Sequence, residues 1–334
     1  MDIGVVVCTY NRKEALRNAL DSLIHQETEG AFTFEILIVD DGSTDGTEDV
    51  LKEIIKNTSA IPIRYVHKEG AGIADARNRG VREARGRCIA FFDDDQWAEP
   101  RWLLELYKVA VESEADCVGG TVLLDLPDSA KLNLSPFCRS ALRESLLGYE
   151  PERYSEKVGL STCNVIIRRE LFERVGTFDA SLLTGGEDPD FFWRASKQGA
   201  EMWHAPKAIV HHIIPESRLR EEYFRRTSLR LGLSGAWIRY KHKGRLRWFL
   251  ALGRWILRSF ARDIWLLLMA LLLRDKSKQL DRKCRLWCTL GYVRGSLSLL
   301  APSVLRQKRF FDTLNFRSRG GESTRENPQT GQTI

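Results

Sequence analysis

Three adjacent carboxylates, Asp93 to Asp95, directly follow an apolar run that ends in Phe91 and Phe92. Like charges this close repel one another unless a cation neutralises them. On an extended chain, Asp93 and Asp95 point to one side and Asp94 to the other. Two carboxylates on one side of a strand end can share a divalent cation, and oxygen ligands suit Mg²⁺ or Mn²⁺. The spacing therefore predicts a metal site that carries a phosphate group.

A second acidic stretch, GGEDPDFFWRASKQG, opens a predicted helix with Glu187 and Asp188. Pro189 suits the first turn of that helix and Gly199 suits its C-terminal end, so Asp188 is placed as an N-cap residue. A carboxylate in this position is held rigidly by the backbone N–H groups of the first turn.

Apolar runs alternate with helix-periodic segments through the first 125 residues. The runs IGVVVCTY, FEILIVDD, IRYVHK, RCIAFF and DCVGGTVLL predict strands, and Asn11 is the predicted N-cap of the first helix. Continuous apolar strands predict an α/β fold with a mostly parallel sheet covered by helices on both faces. Three of the strands end in polar groups (CTYN, VDDGS and FFDDD), and ligands bind beyond the carboxyl ends of such strands. The site is expected there.

The charge of the 334-residue chain is divided unevenly along its length, although the net charge is only +6. Residues 1–215 contain 25 Lys and Arg against 36 Asp and Glu, whereas residues 216–319 contain 25 against 7. We predict an α/β catalytic domain at 1–215, a basic helical region at 216–310 and a disordered polar tail at 311–334.

Several classes of protein are disfavoured by absent motifs. No P-loop is present, and no G-x-G-x-x-G follows a strand, so a dinucleotide fold is not expected. The seven cysteines are odd in number and form no Cys-x-x-Cys, which favours a reducing compartment over a disulfide framework or a zinc site. The chain opens almost directly on a strand, so no signal peptide is expected.

Four segments in this order resemble the successive motifs of the family 2 glycosyltransferases: VVVCTYNR, ILIVDDGSTDGT, GIADARNRGVREARGRCIAFFDDD and GGEDPDFFWR. The resemblance runs from about Ile3 to His212, nearly two-thirds of the chain. Each motif alone is weak, and the four together are specific. The family implies a Rossmann-like GT-A fold and transfer of a sugar from a nucleotide with inversion at the anomeric carbon.

The resemblance also implies a pocket for the nucleotide-sugar. Asp41 would contact the base or ribose, with Asp40 as the alternative, and Arg77 and Asn78 would lie near the nucleotide or diphosphate. Uridine or thymidine diphosphate is the expected carrier. The residues implied to line the pocket are Thr9, Tyr10, Asn11, Asp41, Arg77, Asn78 and Asp93.

The metal and the catalytic groups are implied in the same way. Asp93 and Asp95 match the first and last positions of the D-x-D motif, with Asp95 as direct ligand of Mn²⁺ or Mg²⁺ and Asp93 in a ribose or water-mediated contact. The pattern Val-x-His-x-x-Pro places a third metal ligand at His212. Asp188 would be the general base, and Glu187 would orient the site or touch the acceptor.

The basic region is strongly apolar from Trp248 to Leu273 but carries Arg254, Arg258 and Arg262 along one helical stripe. Its longest uncharged run is too short to span a bilayer, which takes about 20 residues. We therefore predict an amphipathic helix on anionic lipid at the cytoplasmic face of the cell membrane, with a helical cap on the catalytic domain as the alternative. Such tails in the family imply a lipid-linked or envelope glycan acceptor.

Other functions compete with this interpretation. A sugar nucleotidyltransferase would carry a glycine-rich loop after the first strand, and CTYNRKEA has no glycine. The basic half suggests nucleic-acid binding, but its charges are interleaved with apolar runs and no RNA- or DNA-binding motif is present, so no nucleic-acid partner is expected. A catalytically inactive family member is disfavoured because Asp93, Asp95 and Asp188 are retained.

Overall fold

A computed structural model describes residues 1–58, 60–67, 70, 72–127, 134–146, 148–154, 159–182 and 185–300. Its first part alternates strands and helices as the apolar runs predict. These elements are β1 (Ile3–Thr9), α1 (Lys13–Ile24), β2 (Phe34–Asp40), α2 (Thr47–Asn57), β3 (Ile63–His67), α3 (Ile73–Glu83) and β4 (Cys88–Asp93).

The next part mixes short strands with helices and ends on a long strand. These elements are β5 (Gln96–Ala98), α4 (Trp102–Glu112), β6 (Cys117–Asp125), α5 (Pro136–Ala141), β7 (Glu152–Arg153), β8 (Asn164–Arg168), α6 (Arg169–Val175), α7 (Glu187–Lys197) and β9 (Met202–Ile213).

Within the described residues, nine strands form one sheet in the order β3-β2-β1-β4-β8-β6-β9-β5, with β7 beside β9. The strands β3, β2, β1 and β4 run parallel, as predicted. The rest of the sheet is mixed, because β8 lies antiparallel between β4 and β6, and β5 is antiparallel to β9. The prediction of a mostly parallel sheet is wrong for this part. No strand was predicted at β8, which has only five residues.

Helices cover both faces of the sheet and leave its carboxyl edge open for a site. Every residue of β2 is buried, as expected for a central strand with helices on either side. Leu16 and Leu20 of α1 pack on one face with Trp102 of α4, whereas Leu171 of α6 and Phe191 of α7 pack on the other. This packing brings the ends of β1, β2 and β4 together at one edge.

The loops that follow β1 and β2 are joined by side chains at that edge. Asn11 lies in the left-handed region (φ 53°), and its Oδ1 accepts a hydrogen bond from Thr44 N at 2.7 Å. Asp45 Oδ2 accepts from Lys13 N, the first residue of α1, at 3.1 Å. The prediction that Asn11 caps α1 is wrong, because an aspartate distant in sequence accepts this bond.

Three helical segments follow the sheet and pack against one another. They are α8 (Glu221–Arg258), α9 (Trp265–Leu272) and α10 (Lys276–Leu300), with a π-helical turn at Ser259–Ile264. Gly244 interrupts α8 with φ 75° and ψ 165°. A Cβ atom at Gly232 of α8 would lie 1.9 Å from Cys288 O of α10, so the two backbones touch directly. Only a glycine allows this approach.

A buried carboxylate fastens α8 to α7. Asp190 is 0% exposed and receives His242 Nε2 at 2.8 Å, Lys241 Nζ at 2.7 Å and Arg194 Nε at 2.9 Å. Burial alone would raise the pKa of Asp190, but the bonds from Lys241 and Arg194 outweigh it and the pKa is lowered. The ring of His242 also stacks on Trp193 at 3.8 Å. The C-terminal helices are therefore tied to the helix that carries Glu187.

The segment Trp248–Leu273 is not a single helix as predicted. The π-helical turn divides it, and Trp248 and Ala251 are buried against Tyr292 of α10. These contacts are with another C-terminal helix, so they do not decide between the predicted membrane helix and a cap on the catalytic domain. The predicted end of the basic region at 301–310 and the predicted disordered tail at 311–334 lie outside the described residues.

No helix in the described part of the chain is both long and apolar enough to cross a membrane.

Candidate active site

The three adjacent carboxylates lie where β4 gives way to β5, and each has different partners. The extended chain ends at Asp93, and Asp94 and Asp95 form a tight turn. The expectation that all three alternate along a strand is therefore wrong beyond Asp93, because the turn sends Asp95 towards β9. Burial raises the pKa of Asp93, although Arg77 opposes the effect.

Asp94 faces inward and is held by groups from the end of β1. Its Oδ2 accepts from Thr9 Oγ1 at 2.8 Å, and its Oδ1 accepts from Arg12 Nη1 at 2.9 Å. Burial raises the pKa of Asp94 to about 6 even though Arg12 favours the charged form. Thr9 was predicted to line the nucleotide pocket, but its hydroxyl orients Asp94 and the residue is buried.

Asp95 lies against β9 and the 3₁₀ turn that follows it. Arg218 Nη2 donates to Asp95 Oδ2 at 2.7 Å, and His212 Nε2 lies 3.4 Å from the same oxygen. Burial raises the pKa of Asp95, but Arg218 and Arg12 outweigh it, so the pKa is well below its usual value. Asp95 of the predicted D-x-D motif and the predicted ligand His212 therefore lie close together, and Arg218 contacts Asp95 as well.

Arg77 connects this carboxylate group to the second acidic stretch. From α3 its Nη1 donates to Glu187 Oε1 at 2.6 Å and to Asp188 Oδ1 at 3.0 Å, and its Nη2 lies 3.7 Å from Asp93 Oδ1. Burial alone would lower the pKa of Arg77, but Asp188 and Glu187 outweigh it and the pKa is raised. The buried guanidinium of Arg77 therefore connects the carboxylate at the end of β4 with the two carboxylates at the start of α7.

Asp188 is buried and held from two sides. Its Oδ1 also accepts from Thr162 Oγ1 at 2.8 Å, while its Oδ2 accepts from Ser161 Oγ and Thr162 N, each at 3.3 Å. The helix begins one residue earlier, at Glu187, with Gly186 as its N-cap. Asp188 therefore lies in the first turn and is not the predicted N-cap.

Residues 4–176 match the family described as Glycosyl transferase family 2. The chain belongs to this family. It is a glycosyltransferase, and the predicted family is confirmed.

Two relatives show how far the similarity of this glycosyltransferase extends. Glycosyltransferase AglE of Haloferax volcanii is 27% identical over 263 residues, which covers 77% of this chain and 81% of AglE. Succinoglycan biosynthesis protein ExoM of Rhizobium meliloti is 30% identical over 235 residues, which covers 70% of this chain and 72% of ExoM. Both matches extend beyond the segment that matches the family.

The fold is similar to that of a solved glycosyltransferase. The crystal structure of S. aureus TarS 1-349 in complex with UDP aligns with a TM-score of 0.52 and 17% identity, covering 91% of this chain and 92% of that chain. A complex of the same TarS fragment with UDP-GlcNAc aligns equally well, with a TM-score of 0.52. This likeness supports the predicted GT-A fold.

Asp95 and His212 carry donor atoms of the kinds that bind a divalent cation, and in the structure both accept hydrogen bonds from Arg218. His212 Nδ1 lies 2.9 Å from Leu142 O, a pure acceptor, so Nδ1 carries the proton and the lone pair of Nε2 accepts from Arg218 Nη1 at 2.8 Å. A backbone carbonyl fixes metal-ligating histidines in this way. A bound ion would have to displace the guanidinium of Arg218. Among the described residues, no three His, Cys, Asp or Glu side chains are grouped as a complete metal site. Mg²⁺ usually takes one or two carboxylates and completes its shell with substrate phosphates and water.

The two aspartates at the end of β2 accept hydrogen bonds from different partners. Asp40 accepts from Ser43 N and Tyr65 OH, each at 2.8 Å, whereas Asp41 accepts from Gly72 N at 3.2 Å. Tyr10 and Asn11 are half-buried in the loop after β1.

Asn78 serves the backbone of another loop. Its amide both donates to Phe178 O at 2.8 Å and accepts from Phe178 N at 2.9 Å. These bonds occupy both ends of the amide, so the structure gives Asn78 a role in fixing the chain ahead of α7. Its predicted place near the nucleotide or diphosphate stays a prediction.

Several charged residues at the site were not predicted as site residues. Arg12 directly follows Thr9, Tyr10 and Asn11 in the sequence, and this position could have marked it as a site residue. Arg218 lies in PESRLR, where nothing in the sequence marks it as a partner of Asp95. Distant residues of this kind become neighbours only through the packing of β9 and α8.

Proposed function

We propose that this glycosyltransferase inverts the anomeric carbon as it moves a sugar from a nucleoside diphosphate to an acceptor hydroxyl. The supporting observation is the Arg77 network, which joins Asp93 at the D-x-D turn to Glu187 and Asp188 on α7. A single displacement needs a group of residues that binds the leaving diphosphate and a second group that positions the attacking hydroxyl, and the two groups must be held at a fixed distance.

In the proposed step, Asp188 takes the proton of the acceptor hydroxyl while that oxygen bonds to the anomeric carbon. The bond from this carbon to the diphosphate oxygen breaks, and the nucleoside diphosphate leaves from the opposite face. Thr162 and Arg77 hold the carboxylate in position for the transfer. The step needs no covalent intermediate with the enzyme.

We further propose that Asp95 and His212 hold Mn²⁺ or Mg²⁺, with Asp93 in a ribose or water-mediated contact. When bound, the ion would neutralise charge on the departing diphosphate. UDP is the nucleotide we favour, because the TarS structure with a similar fold is a complex with UDP. ExoM is a succinoglycan biosynthesis protein, and we propose a lipid-linked or envelope glycan as the acceptor here.

The donor proposal is tested by thermal unfolding with UDP, dTDP or GDP, each with and without Mn²⁺. A nucleotide at 100 times its Kd stabilises a protein by about 2.7 kcal/mol, which raises Tm by roughly 5 °C or more. We expect this shift for UDP only when Mn²⁺ is present, and we expect it to vanish in Asp95→Asn.

Asp49→Asn is the matched control, because Asp49 is an exposed carboxylate of α2. It should keep the full shift. A folded native protein that no nucleotide stabilises would contradict the donor proposal and favour an inactive family member. An equal UDP shift in Asp95→Asn would remove Asp95 from the metal site.

We propose that the C-terminal helices rest on the anionic cytoplasmic face of the cell membrane. Among the described residues, nineteen large apolar side chains are exposed, and ten of them fall within residues 246–273. Leu257 and Leu272 are 70% and 75% exposed. Arg254, Arg258 and Arg262 are exposed in the same segment. Apolar side chains beside basic ones suit the boundary between lipid headgroups and acyl chains.

This proposal predicts co-sedimentation with vesicles that contain phosphatidylglycerol and little with pure phosphatidylcholine. The double variant Leu257→Glu/Leu272→Glu should bind at least about tenfold more weakly, because burying one leucine contributes about 1.5–3 kcal/mol. Val111→Glu is the control, since Val111 is exposed on α4 outside the segment. Equal binding by the double variant and the control would contradict the proposal, and salt-sensitive binding to DNA in place of vesicles would favour a nucleic-acid role.

A further inference from the structure

Two arginines beside Asp188 and Glu187 have no part in the proposed chemistry. Arg143 follows α5, and Arg230 lies on α8. Both stand near the acceptor half of the site.

Arg143 is fixed at the mouth of the site by its neighbours in the chain. Leu142 O lies 2.9 Å from His212 Nδ1, and Ser145 pairs with Val122 through hydrogen bonds of 2.9 and 3.0 Å. Between these anchors, Arg143 adopts a left-handed backbone with φ 76°. A left-handed arginine is strained, and the anchored neighbours hold it there. Part of the residue stays exposed, so a ligand can reach it.

The carboxylates that act on Arg143 are those of the site. Desolvation lowers its pKa, but Asp188 and the more distant Asp93 and Glu187 outweigh this, and the pKa is raised. Within the described part of the chain, no carboxylate forms an ion pair with Arg143. The guanidinium therefore faces the catalytic carboxylates without being neutralised by one of them.

Arg230 reaches the same place from α8. A Cβ atom at Gly186 would lie 3.4 Å from Ser234 Cβ and 3.1 Å from Ile238 Cδ1, so this face of α8 packs on the start of α7. Arg230 precedes Ser234 by four residues and lies on the same helix face, one turn away. The face points towards Glu187.

Desolvation and then the charge of Arg143 lower the pKa of Arg230, while Glu187 acts in the opposite direction. Arg218 lowers this pKa further. Glu187 Oε2, in contrast, is buried and has no hydrogen-bond partner among the described residues. Converging cations with an unused acceptor atom beside them suit a ligand that carries both an anionic group and a hydroxyl.

We infer that the acceptor is an anionic glycan, with a phosphate or carboxylate group that Arg143 and Arg230 bind next to the hydroxyl that receives the sugar. The inference rests on the proposed function, because it assigns the acceptor side of the same site.

The test titrates the full-length protein, saturated with UDP and Mn²⁺, with three small probes by calorimetry. The probes are sn-glycerol 3-phosphate, glucuronate and uncharged glycerol. We expect one of the two anions to bind and glycerol not to bind, which also identifies the anionic group as phosphate or carboxylate. Arg143→Gln and Arg230→Gln should each weaken anion binding about tenfold or more, since a hydrogen bond to a charged group contributes about 1.5–3 kcal/mol.

Arg225→Gln is the matched control, because Arg225 is exposed on the same helix. It should bind the anion as the native protein does, and all three variants should bind UDP normally. Unchanged anion binding in Arg143→Gln and Arg230→Gln would overturn the inference, as would loss of UDP affinity in both, which would assign them to the donor diphosphate. Failure of the proposed function is a separate result, in which the native protein binds no nucleotide.

Discussion

The turnover number of Asp188→Asn should fall by about 10²- to 10⁴-fold, the usual contribution of a general base. Asparagine has nearly the same shape, and its amide oxygen can keep the bonds that Oδ1 accepts from Arg77 and Thr162. It cannot take a proton from the acceptor. The affinity for UDP with Mn²⁺ should therefore be unchanged, and turnover measured at saturating donor separates the two effects.

Glu187→Gln is the comparison that decides between the two adjacent carboxylates. Glu187 Oε1 accepts from Arg77, but its Oε2 has no partner in the described part of the chain. If Glu187 only orients the site or touches the acceptor, the variant should lose much less turnover than Asp188→Asn. The reverse order of losses would assign the base to Glu187, and normal turnover in both would contradict a base from this motif.

Replacing Arg77 by methionine should lower the free energy of unfolding by about 3–5 kcal/mol, because it leaves a buried group of carboxylates without their cation. Glu187 and Asp188 are each 8% exposed in their side chains, and Asp93 lies close by. Denaturant unfolding without nucleotide or metal measures the loss. The charge can be kept in Arg77→Lys, but an ammonium cannot donate in the planar geometry that reaches two carboxylates, so partial loss is expected.

Arg79→Met is the matched control on the same helix. Arg79 pairs with Glu83 at 2.8 Å across one turn, and its side chain is 41% exposed. Such a pair contributes at most about 1 kcal/mol. Similar losses for Arg77→Met and Arg79→Met would show that the buried network does not stabilise the fold and would weaken the case that Arg77 joins the two halves of the site.

Local sequence patterns were sufficient for the elements that carry the site. The apolar runs located β1, β2, β4 and β6, because burial of a strand on both faces requires a continuous run. The stretch IRYVHK located β3, which is half-buried at the edge of the sheet. Helix periodicity and its end signals located α2, with the bounds Thr47–Asn57. The acidic groups at strand ends marked the edge where Asp95 and His212 meet.

The connection between the acidic groups required the tertiary structure. Nothing in the sequence pairs Arg77 with Glu187, which is 110 residues away, or Arg218 with Asp95, 123 residues away. The turn at Asp94 and the antiparallel insertion of β8 also depend on neighbours that local pattern does not encode.

The sequence by itself determined the family, the alternation of strands and helices and the identity of the principal carboxylates. Only the tertiary structure decided which cation neutralises each carboxylate and how α8 and α10 pack. The physical reason is the distance along the chain over which each interaction acts. Periodicity and capping act over a few residues, whereas ion pairs in a buried site depend on which surfaces the whole chain brings together.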